Sequence, residues 1–300
     1  MLDALTDVRV LTGNDTLAYR DPAVLYEDGV FHLFFSMVRI ESDSVYSYVA
    51  KSESRDLREW TEPRILTPRD QKLDFSSPGD VVRFGDEWIL CMQTYPRPDY
   101  AASQGIRYGD ETARLYMIRS RDLELWGEPE LLKVKGPDVA EEDMGRMIDP
   151  YLVEDKDEKG KWWCFYKQNG VSMSCSHDLE DWTFCGSTDS GENVCVWVEG
   201  DEYMLMHSPS NGLGIKHSRD LVSWADTLGI ATLGQAEWLW AQGRLTAGAV
   251  LDCRDVPEVG AYLLFFHGSG PRTEQEGDFD RNCHIGLAWS SDLEHWKWAK

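Results

Sequence analysis

The stretch SRDLREW, from Ser54 to Trp60, decides the fold because the chain repeats its frame four more times. Irregular repeats tens of residues apart indicate one supersecondary unit per copy, with insertions in the loops. Five near-identical copies cannot all be one reaction centre, so we interpret the motif as structural. Its Asp sets a turn by accepting backbone N–H groups, and its Leu and Trp pack between neighbouring units. The other copies are SRDLELW from Ser120, SHDLEDW from Ser176, SRDLVSW from Ser218 and SSDLEHW from Ser290.

The segments that precede the copies have the composition of short β-strands. Before the first copy, PAVLYE is followed by an Asp-Gly pair, VFHLFFSM and VYSYVAKS. Runs rich in β-branched and aromatic residues, joined by two residues that include Gly, are typical of hairpins. A further short run follows each of the first two copies, which makes a unit of four antiparallel strands, A to D. Five such sheets around an axis predict an all-β, five-bladed β-propeller that occupies 1–300 as a single domain, because ring closure protects the sheet edges.

The last blade needs an outer strand from elsewhere in the chain. The fifth copy is followed only by WKWAK, which we take to be too short for a D strand. We therefore predict that DVRVL, from Asp7 to Leu11, supplies this strand and closes the ring.

Composition narrows the class of ligand. The chain has 53 acidic and 30 basic residues and a formal net charge of −23, which opposes binding to nucleic acid or to an anionic membrane surface. No apolar run is long enough to span a membrane, and the first residues lack the pattern of a signal peptide. Seven cysteines without CxxC spacing favour free thiols and a cytoplasmic location, or secretion if a signal peptide has been removed.

The direction of the strands locates the working face. If each A strand starts at the top of the channel, the B–C loops and the D-to-A crossovers lie at the top as well. The repeated motif then lies at the bottom. The longest insertions fall in the top loops, including PRPDYAASQGIRYGDET and SGPRTEQEGDFDRN. We therefore expect the functional site at the starts of the A strands.

Each of the first four A strands begins near a carboxylate: Asp21, Asp80, Asp149 and Glu192. Asp21 precedes an Asp-Gly turn by seven residues and Glu192 precedes a Glu-Gly turn by seven, which predicts equal heights in the channel. Acids that converge on one channel repel each other, and a fold keeps them when it tunes protonation or binds a cation. The sequence therefore predicts a functional centre at Asp21, Asp149 and Glu192.

At these residues the sequence resembles the five-bladed propeller glycoside hydrolases, most closely glycoside hydrolase family 43 and its relatives. The motifs are Arg20-Asp21-Pro22, Ile148-Asp149-Pro150, the Glu192 of GEN and the repeated SxDLxxW. The resemblance implies that Asp21 is the general base, that Asp149 modulates pKa and orients the sugar, and that Glu192 is the general acid. Glu237, in QAEWLW, is the reserve candidate for the acid.

The activity implied is that of an inverting exo-glycosidase that removes a terminal arabinofuranosyl, xylosyl or galactofuranosyl unit from an oligo- or polysaccharide. Two alternatives stay open: a non-catalytic propeller that binds a glycan or a protein, and a retaining fructosidase-like enzyme. The partner expected is a carbohydrate, and the oligomeric state is not predicted. No cofactor or metal-ligand set is required, although a structural calcium ion occurs in the channel of some relatives. Residues expected to bind substrate are Arg20, Asp80, Gln93, Tyr95, Gln168, His207, Trp238, Trp240, Arg244 and His267.

Overall fold

In a computed structural model, which describes residues 1–227 and 229–300, the chain forms five antiparallel sheets arranged as the blades of a β-propeller. This confirms the predicted fold class. Blades 1 to 4 are β2–β5, β6–β9, β10–β13 and β14–β17, with strands in chain order from the channel outwards, and blade 5 holds β18–β20, β1 and β21. The strands are β1 (Arg9–Leu11), β2 (Leu17–Glu27), β3 (Val30–Glu41), β4 (Ser44–Ser54), β5 (Arg64–Ile65), β6 (Val81–Phe84), β7 (Glu87–Gln93), β8 (Leu115–Ser120), β9 (Glu130–Leu131), β10 (Ile148–Glu154), β11 (Trp162–Lys167), β12 (Val171–Ser176), β13 (Thr183–Thr188), β14 (Glu192–Glu199), β15 (Glu202–Ser208), β16 (Gly214–Ser218), β17 (Ala225–Asp226), β18 (Arg244–Cys253), β19 (Ala261–Ser269), β20 (Cys283–Ser290) and β21 (Lys297–Trp298).

Both ends of the chain complete blade 5. Strand β1 pairs antiparallel with β20, with Leu11 opposite Ile285, which confirms that the N-terminal segment closes the ring. The strand begins at Arg9, two residues later than predicted. The expectation that the C-terminal residues are too short for an outer strand was wrong, because Trp298 pairs with Ala288 on the same strand. The outer edge of blade 5 is therefore covered by two short segments placed end to end.

Helical segments in the described part of the chain are single turns. Four are 3₁₀ turns and one, within an insertion of blade 5, has π-type geometry. None of these helices is long and apolar enough to cross a membrane. Two top-face insertions matter for the site below: the blade 2 insertion, 94–114, and the blade 5 insertion, 270–282. The helical bounds are Leu2–Ala4, Ala102–Gln104, Glu141–Asp143, Leu239–Ala241 and Glu274–Asp278.

The repeated motif forms the same turn in all five blades. In the first copy, Asp56 accepts the N–H groups of Arg58 and Glu59, at 3.0 and 2.9 Å. Each motif Leu adopts a left-handed backbone, as Leu57 does with φ = 63°, and is buried. The Asp contacts hold the turn closed while the Leu side chain points into the interior. The predicted structural role of the motif is confirmed.

The motif Trp residues pack across the seams between blades. Trp60 of blade 1 meets Phe265 of blade 5 edge to face, with ring centroids 6.1 Å apart. Trp126 of blade 2 meets Phe34 of blade 1 in the same way, at 5.6 Å. Each such contact buries aromatic area between two sheets that share no strand hydrogen bonds. The motif therefore joins neighbouring blades as well as closing turns.

We expect replacement of Trp182 by Ala to destabilise the fold more than the same change at Trp296. Trp182 is 2% exposed and donates its indole N–H to the Leu179 carbonyl at 3.0 Å, whereas Trp296 is only partly buried. Removing a fully buried Trp costs about 3–5 kcal/mol, because it leaves a cavity and loses apolar burial. Urea unfolding of both variants measures the difference. Equal losses would mean that the motif Trp residues do not stabilise the seams through their burial.

Candidate active site

Five residues with a left-handed backbone form a ring at the top of the channel. Each blade contributes one of them, from its innermost strand or from the residues just before that strand. Their φ values lie between 41° and 52°, a region that side chains other than Gly seldom adopt. In blades 1, 3, 4 and 5 the pairing register breaks at this point, as in a β-bulge, and bulges redirect side chains. The ring consists of Asp21, Ser77, Asp149, Asn193 and Ala247.

The positions of these five residues show that the predicted alignment of Glu192 with Asp21 was wrong by one residue. The last paired residues before the two hairpin turns are Glu27 and Glu199. Asp21 precedes Glu27 by six residues (27−21), and Asn193 precedes Glu199 by six (199−193). Asn193 therefore holds the position of Asp21, and Glu192 lies one residue before it. The prediction was wrong because it counted from the Gly of each turn, and the Gly stands at different places in the two turns.

A pocket of about 310 Å³ opens above the ring. This volume is at the lower end of the roughly 300–1,000 Å³ that is typical of small-molecule sites. Below it, a cavity of about 30 Å³ continues between the inner strands of all five blades. The pocket is lined by Arg20, Asp21, Ser36, Val38, Ser47, Ser76, Ser77, Gln93, Tyr95, Arg97, Tyr108, Arg146, Ile148, Asp149, Lys167, Glu192, Asn193, Arg244, Glu274, Gln275, Phe279 and Asp280.

Asp21 is held as a carboxylate. Its Oδ2 accepts the Ser36 hydroxyl at 2.8 Å, and the Asn193 amide nitrogen lies 3.5 Å from Oδ1. Burial by itself raises the pKa of Asp21, but the His267 ring, the Arg20 charge and the Ser36 hydroxyl lower that pKa to about 2. The side chain is 12% exposed and is therefore both ionised at neutral pH and open to the pocket.

Asp149 has the opposite protonation behaviour. It is 6% exposed, its N–H donates to Gln93 Oε1 at 2.5 Å, and its Oδ2 accepts the Asn193 N–H at 3.1 Å. Burial, reinforced by the charges of Glu192 and Asp21, raises the pKa of Asp149 to about 7. The pocket floor therefore combines one carboxyl that is ionised and one that keeps its proton until near neutral pH.

Glu192 is the most exposed of the three predicted acids and is part of an ion-pair chain. Its side chain is 35% exposed, and its Oε1 contacts Arg244 Nη2. Arg244 also bonds to Glu274 at 2.6 Å, and Glu274 bonds to Arg20 at 3.1 Å. Burial raises the pKa of Glu274, but the Arg20 charge, the His267 ring and the Arg244 charge hold it well below its usual range. A buried carboxylate thus connects the cations beside Asp21 and Glu192.

His267 lies beneath the pocket and is fully buried. Its Nδ1 accepts the Asp21 N–H at 3.2 Å and lies 3.4 Å from Asp21 Oδ1, and these contacts need different protonation of Nδ1. Nε2 is 3.7 Å from Glu274. His267 therefore supports the left-handed backbone of Asp21 from below and does not line the pocket.

The two top-face insertions are bonded to each other above the site. Arg97 of the blade 2 insertion is fully buried between Asp74, at 2.8 Å, and Asp280 of the blade 5 insertion, at 2.7 Å. The Arg20 guanidinium donates to the Phe279 carbonyl at 2.6 Å and lies 4.2 Å from the centre of its ring. Buried ion pairs of this kind fix a wall only when both partners are well bonded, as they are here.

Four of the predicted binding residues line the pocket: Arg20, Gln93, Tyr95 and Arg244. Asp80 does not. The neighbouring Gly79 lies so close to blade 3 that a Cβ there would be 1.7 Å from the Pro150 oxygen. Asp80 lies three residues beyond Ser77, accepts the N–H of Val81 at 2.8 Å, and has a pKa raised to about 7 by burial. Its carboxyl belongs to the packing between blades 2 and 3.

Trp238 and Trp240, which were predicted to bind substrate, belong to the core. Trp238 stacks on Trp240, with centroids 5.4 Å apart, and on Phe266 at 5.8 Å. Trp238 is 9% exposed, and neither Trp lines the pocket. The prediction was wrong because the crossover 229–243 folds back against blade 5. The same fold-back leaves the reserve acid Glu237 exposed and outside the pocket.

Gln168, His207 and His267 support the pocket rather than line it. Gln168 Nε2 donates to the carbonyls of Met144 and Arg146, each at 3.0 Å. His207 Nδ1 accepts the Gly191 N–H at 2.9 Å, which fixes the backbone just before Glu192. All three were predicted to bind substrate, but none of them is among the residues that line the pocket.

Sequence reasoning missed the polar residues that the insertions bring in. Glu274 is the main omission: it lies in a loop rich in charge, where most acids are solvated, yet it is 2% exposed. Its Arg partners come from blades 1 and 5, so no local spacing marks it. Asn193 could have been found by aligning the inner strands of blades 1 and 4 from their last paired residues.

A metal ion in the channel would need several ligating side chains close together. Within 1–227 and 229–300, no group of three or more His, Cys, Asp or Glu side chains is placed to hold a metal ion. Asp21 and His267 are adjacent but contact each other.

Comparison with known proteins places the fold. The chain matches no family model and no curated protein sequence. It is similar to the structure of a thermostable family-43 glycoside hydrolase, with a TM-score of 0.62 and 13% identity over 96% of this chain and 94% of that one. It is also similar to a glycosyl hydrolase from Bacteroides ovatus, with a TM-score of 0.66 and 12% identity over 100% of this chain and 96% of that one. For an exo-1,5-alpha-L-arabinanase from a bovine ruminal metagenomic library, the TM-score is 0.59 and the identity is 12% over 95% of each chain. These likenesses establish that the chain has the glycoside hydrolase family 43 type of fold.

Proposed function

We propose that the chain is an inverting exo-glycosidase that removes one terminal sugar from an oligo- or polysaccharide. The observation that carries the proposal is that Asp21, Asp149 and Glu192 line one pocket, where the pKa of Asp21 is lowered and the pKa of Asp149 is raised. Hydrolysis of a glycosidic bond needs a base for water and a proton for the leaving oxygen. The likeness to an exo-arabinanase favours an arabinofuranoside, and xylosides and galactofuranosides are the next candidates.

Asp21 is the proposed base. Ser36 and Asn193 fix its carboxylate, which accepts a proton as the water oxygen attacks the anomeric carbon. A low pKa makes the carboxylate weakly basic but keeps it ionised at any working pH. Much of its effect would then come from orienting the water and stabilising positive charge on the sugar ring.

The proton for the leaving oxygen is proposed to reside on the Asp149–Glu192 pair. Asp149 holds it near neutral pH but is 6% exposed, whereas Glu192 is 35% exposed and can reach a substrate. Glu192 is therefore the proposed donor and Asp149 the residue that keeps the proton on the pair. Arg244 contacts Glu192 Oε1, so substrate has to displace that contact before Glu192 can reach the leaving oxygen.

The shape of the pocket supports removal of a single terminal unit. The space beneath the ring is about 30 Å³, which is too small for a second sugar ring. The sugar over Asp21 therefore enters from the top, and the rest of the substrate stays on the top face.

A panel of 4-nitrophenyl furanosides and pyranosides tests this function. We expect turnover of at least one α-L-arabinofuranoside, β-D-xyloside or β-D-galactofuranoside, with ¹H NMR showing the inverted anomer as first product. Inversion requires water to attack from the face opposite the leaving group. Retention of configuration would replace the mechanism with a double displacement. No turnover of any member, by protein that unfolds cooperatively, would leave a binding propeller as the function.

A further inference from the structure

We propose that the leaving-group side of the pocket binds a sugar residue with one negative charge, a uronate, through Arg146 and Lys167. This inference rests on the proposed glycosidase function, because it assigns the unit next to the bond that is broken. It goes beyond the neutral sugars suggested by the sequence.

The cations of the pocket fall into two classes. Arg20, Arg97 and Arg244 each form ion pairs with carboxylates of the same wall. For Arg146 and Lys167, no carboxylate oxygen lies within 4.0 Å in the described ranges 1–227 and 229–300. Arg146 and Lys167 are therefore the two pocket cations with which a bound anion can pair without first displacing a carboxylate of the chain.

Both side chains are held by neutral contacts that leave their charge available. Lys167 ends β11 opposite Ile148, and its Nζ donates to the Ser190 carbonyl at 3.3 Å. The Arg146 guanidinium lies 5.8 Å from the centre of the Tyr95 ring. Its backbone is held by Gln168 through the carbonyl contact already described. The two cations are half-buried, so an anion beside them would be partly shielded from water.

Their position points to the leaving side. Lys167 contacts Ser190, two residues before the proposed acid Glu192. Arg146 and Lys167 also line a second, open cavity of about 720 Å³ over blade 3, so they form the boundary between it and the catalytic pocket. A substrate that places its terminal sugar over Asp21 would extend past these two residues into this cavity.

The composition of the second cavity limits the ligand to about one charge. Lys135 adds a third cation, 4.4 Å from the centre of the Phe184 ring, but Glu111 and Asp143 also line the cavity. The two acids oppose a continuous polyanion. A planar guanidinium pairs with a carboxylate through two parallel hydrogen bonds, and an ammonium adds a point charge. This geometry favours the carboxylate of a single uronosyl unit over a sulfate ester.

Calorimetric titration with three monosaccharide probes tests the inference without turnover. The probes are methyl α-D-galacturonoside, its neutral parent methyl α-D-galactoside, and methyl α-D-galactoside 6-sulfate. We expect the uronoside to bind about tenfold more tightly than the neutral probe at low salt, as one charge-assisted pair provides. Arg146→Ala and Lys167→Ala should each remove most of this preference. Arg121→Ala, which removes an exposed Arg on the opposite face, should leave it unchanged.

The outcomes distinguish a failure of this inference from a failure of the proposed glycosidase function on which it rests. Equal affinity for the charged and neutral probes, or a preference that survives both substitutions, would overturn the anion site. Tighter binding of the sulfate than of the uronoside would overturn the uronate assignment. Turnover of the neutral aryl glycosides reports on the proposed hydrolysis alone, and it can succeed or fail independently of these titrations.

Discussion

Asp21→Asn is expected to lower kcat/KM on the best aryl glycoside of the panel by about 10²- to 10⁴-fold, the usual contribution of a positioned base. The amide keeps the size of the carboxyl, and its oxygen still accepts the Ser36 hydroxyl. It cannot accept a proton from water, and it removes a negative charge that faces the sugar ring. Because both losses fall on the transition state, the decrease should appear in kcat more than in KM.

Two other carboxyls serve as controls for this result. Asp80→Asn replaces a half-buried acid near the same channel but outside the pocket, and it should change kcat/KM less than twofold, about the scatter of neutral substitutions. Glu192→Gln should spare substrates with very good leaving groups, which need no proton, whereas Asp21→Asn should slow all leaving groups alike. If Asp21→Asn and Asp80→Asn have equal effects, the base is not Asp21.

The fold was predictable because its signals are local. The Ser-x-Asp-Leu-x-x-Trp frame specifies a turn whose contacts all lie within six residues, as the Asp56 contacts do. Runs rich in β-branched and aromatic residues then predict the strands, and the number of repeats predicts the number of blades. The one failure at this level, Trp298 in an outer strand, arose because two hydrogen-bonded residues are too short to read from composition.

The site was predictable only where it follows the inner strands. Asp21 and Asp149 occupy repeated positions, so aligning the blades finds them. Glu274 and Arg97 reach the pocket from long insertions, and their partners come from other blades. A charged residue in a loop is usually solvated. Only the folded chain shows that these loops are bonded to each other and that their charges are buried.

The prediction that Trp238 and Trp240 bind substrate failed for a related reason. An aromatic pair on a crossover can face a pocket or a seam, and the local sequence is the same in both cases. Here both rings stack on Phe266 of blade 5 instead of facing the pocket. Burial of large apolar area decides such competitions when no polar partner opposes it.

The protonation of Asp149 has a stability consequence of known sign. Its pKa rises from about 3.8 in the unfolded chain to about 7 in the folded protein, so the folded state binds more protons between these values. Stability therefore falls as pH rises from about 4 to 7, and the full cost of the buried charge is present above pH 7. Asp21 behaves in the opposite way: its pKa is lowered to about 2, and its charge stabilises the fold at neutral pH.

Asp149→Asn is therefore expected to raise the thermal midpoint at pH 8, by at least about 3 °C, while it lowers activity. The amide removes the buried charge, and its oxygen can still accept the Asn193 N–H. At pH 4, where the wild-type carboxyl is protonated, the two midpoints should converge. Asp21→Asn should lower the midpoint at pH 8, because it removes a stabilising charge from the same floor. A gain for Asp149→Asn that is equal at pH 4 and pH 8 would mean that packing, rather than repulsion among the pocket carboxyls, sets the stability of this site.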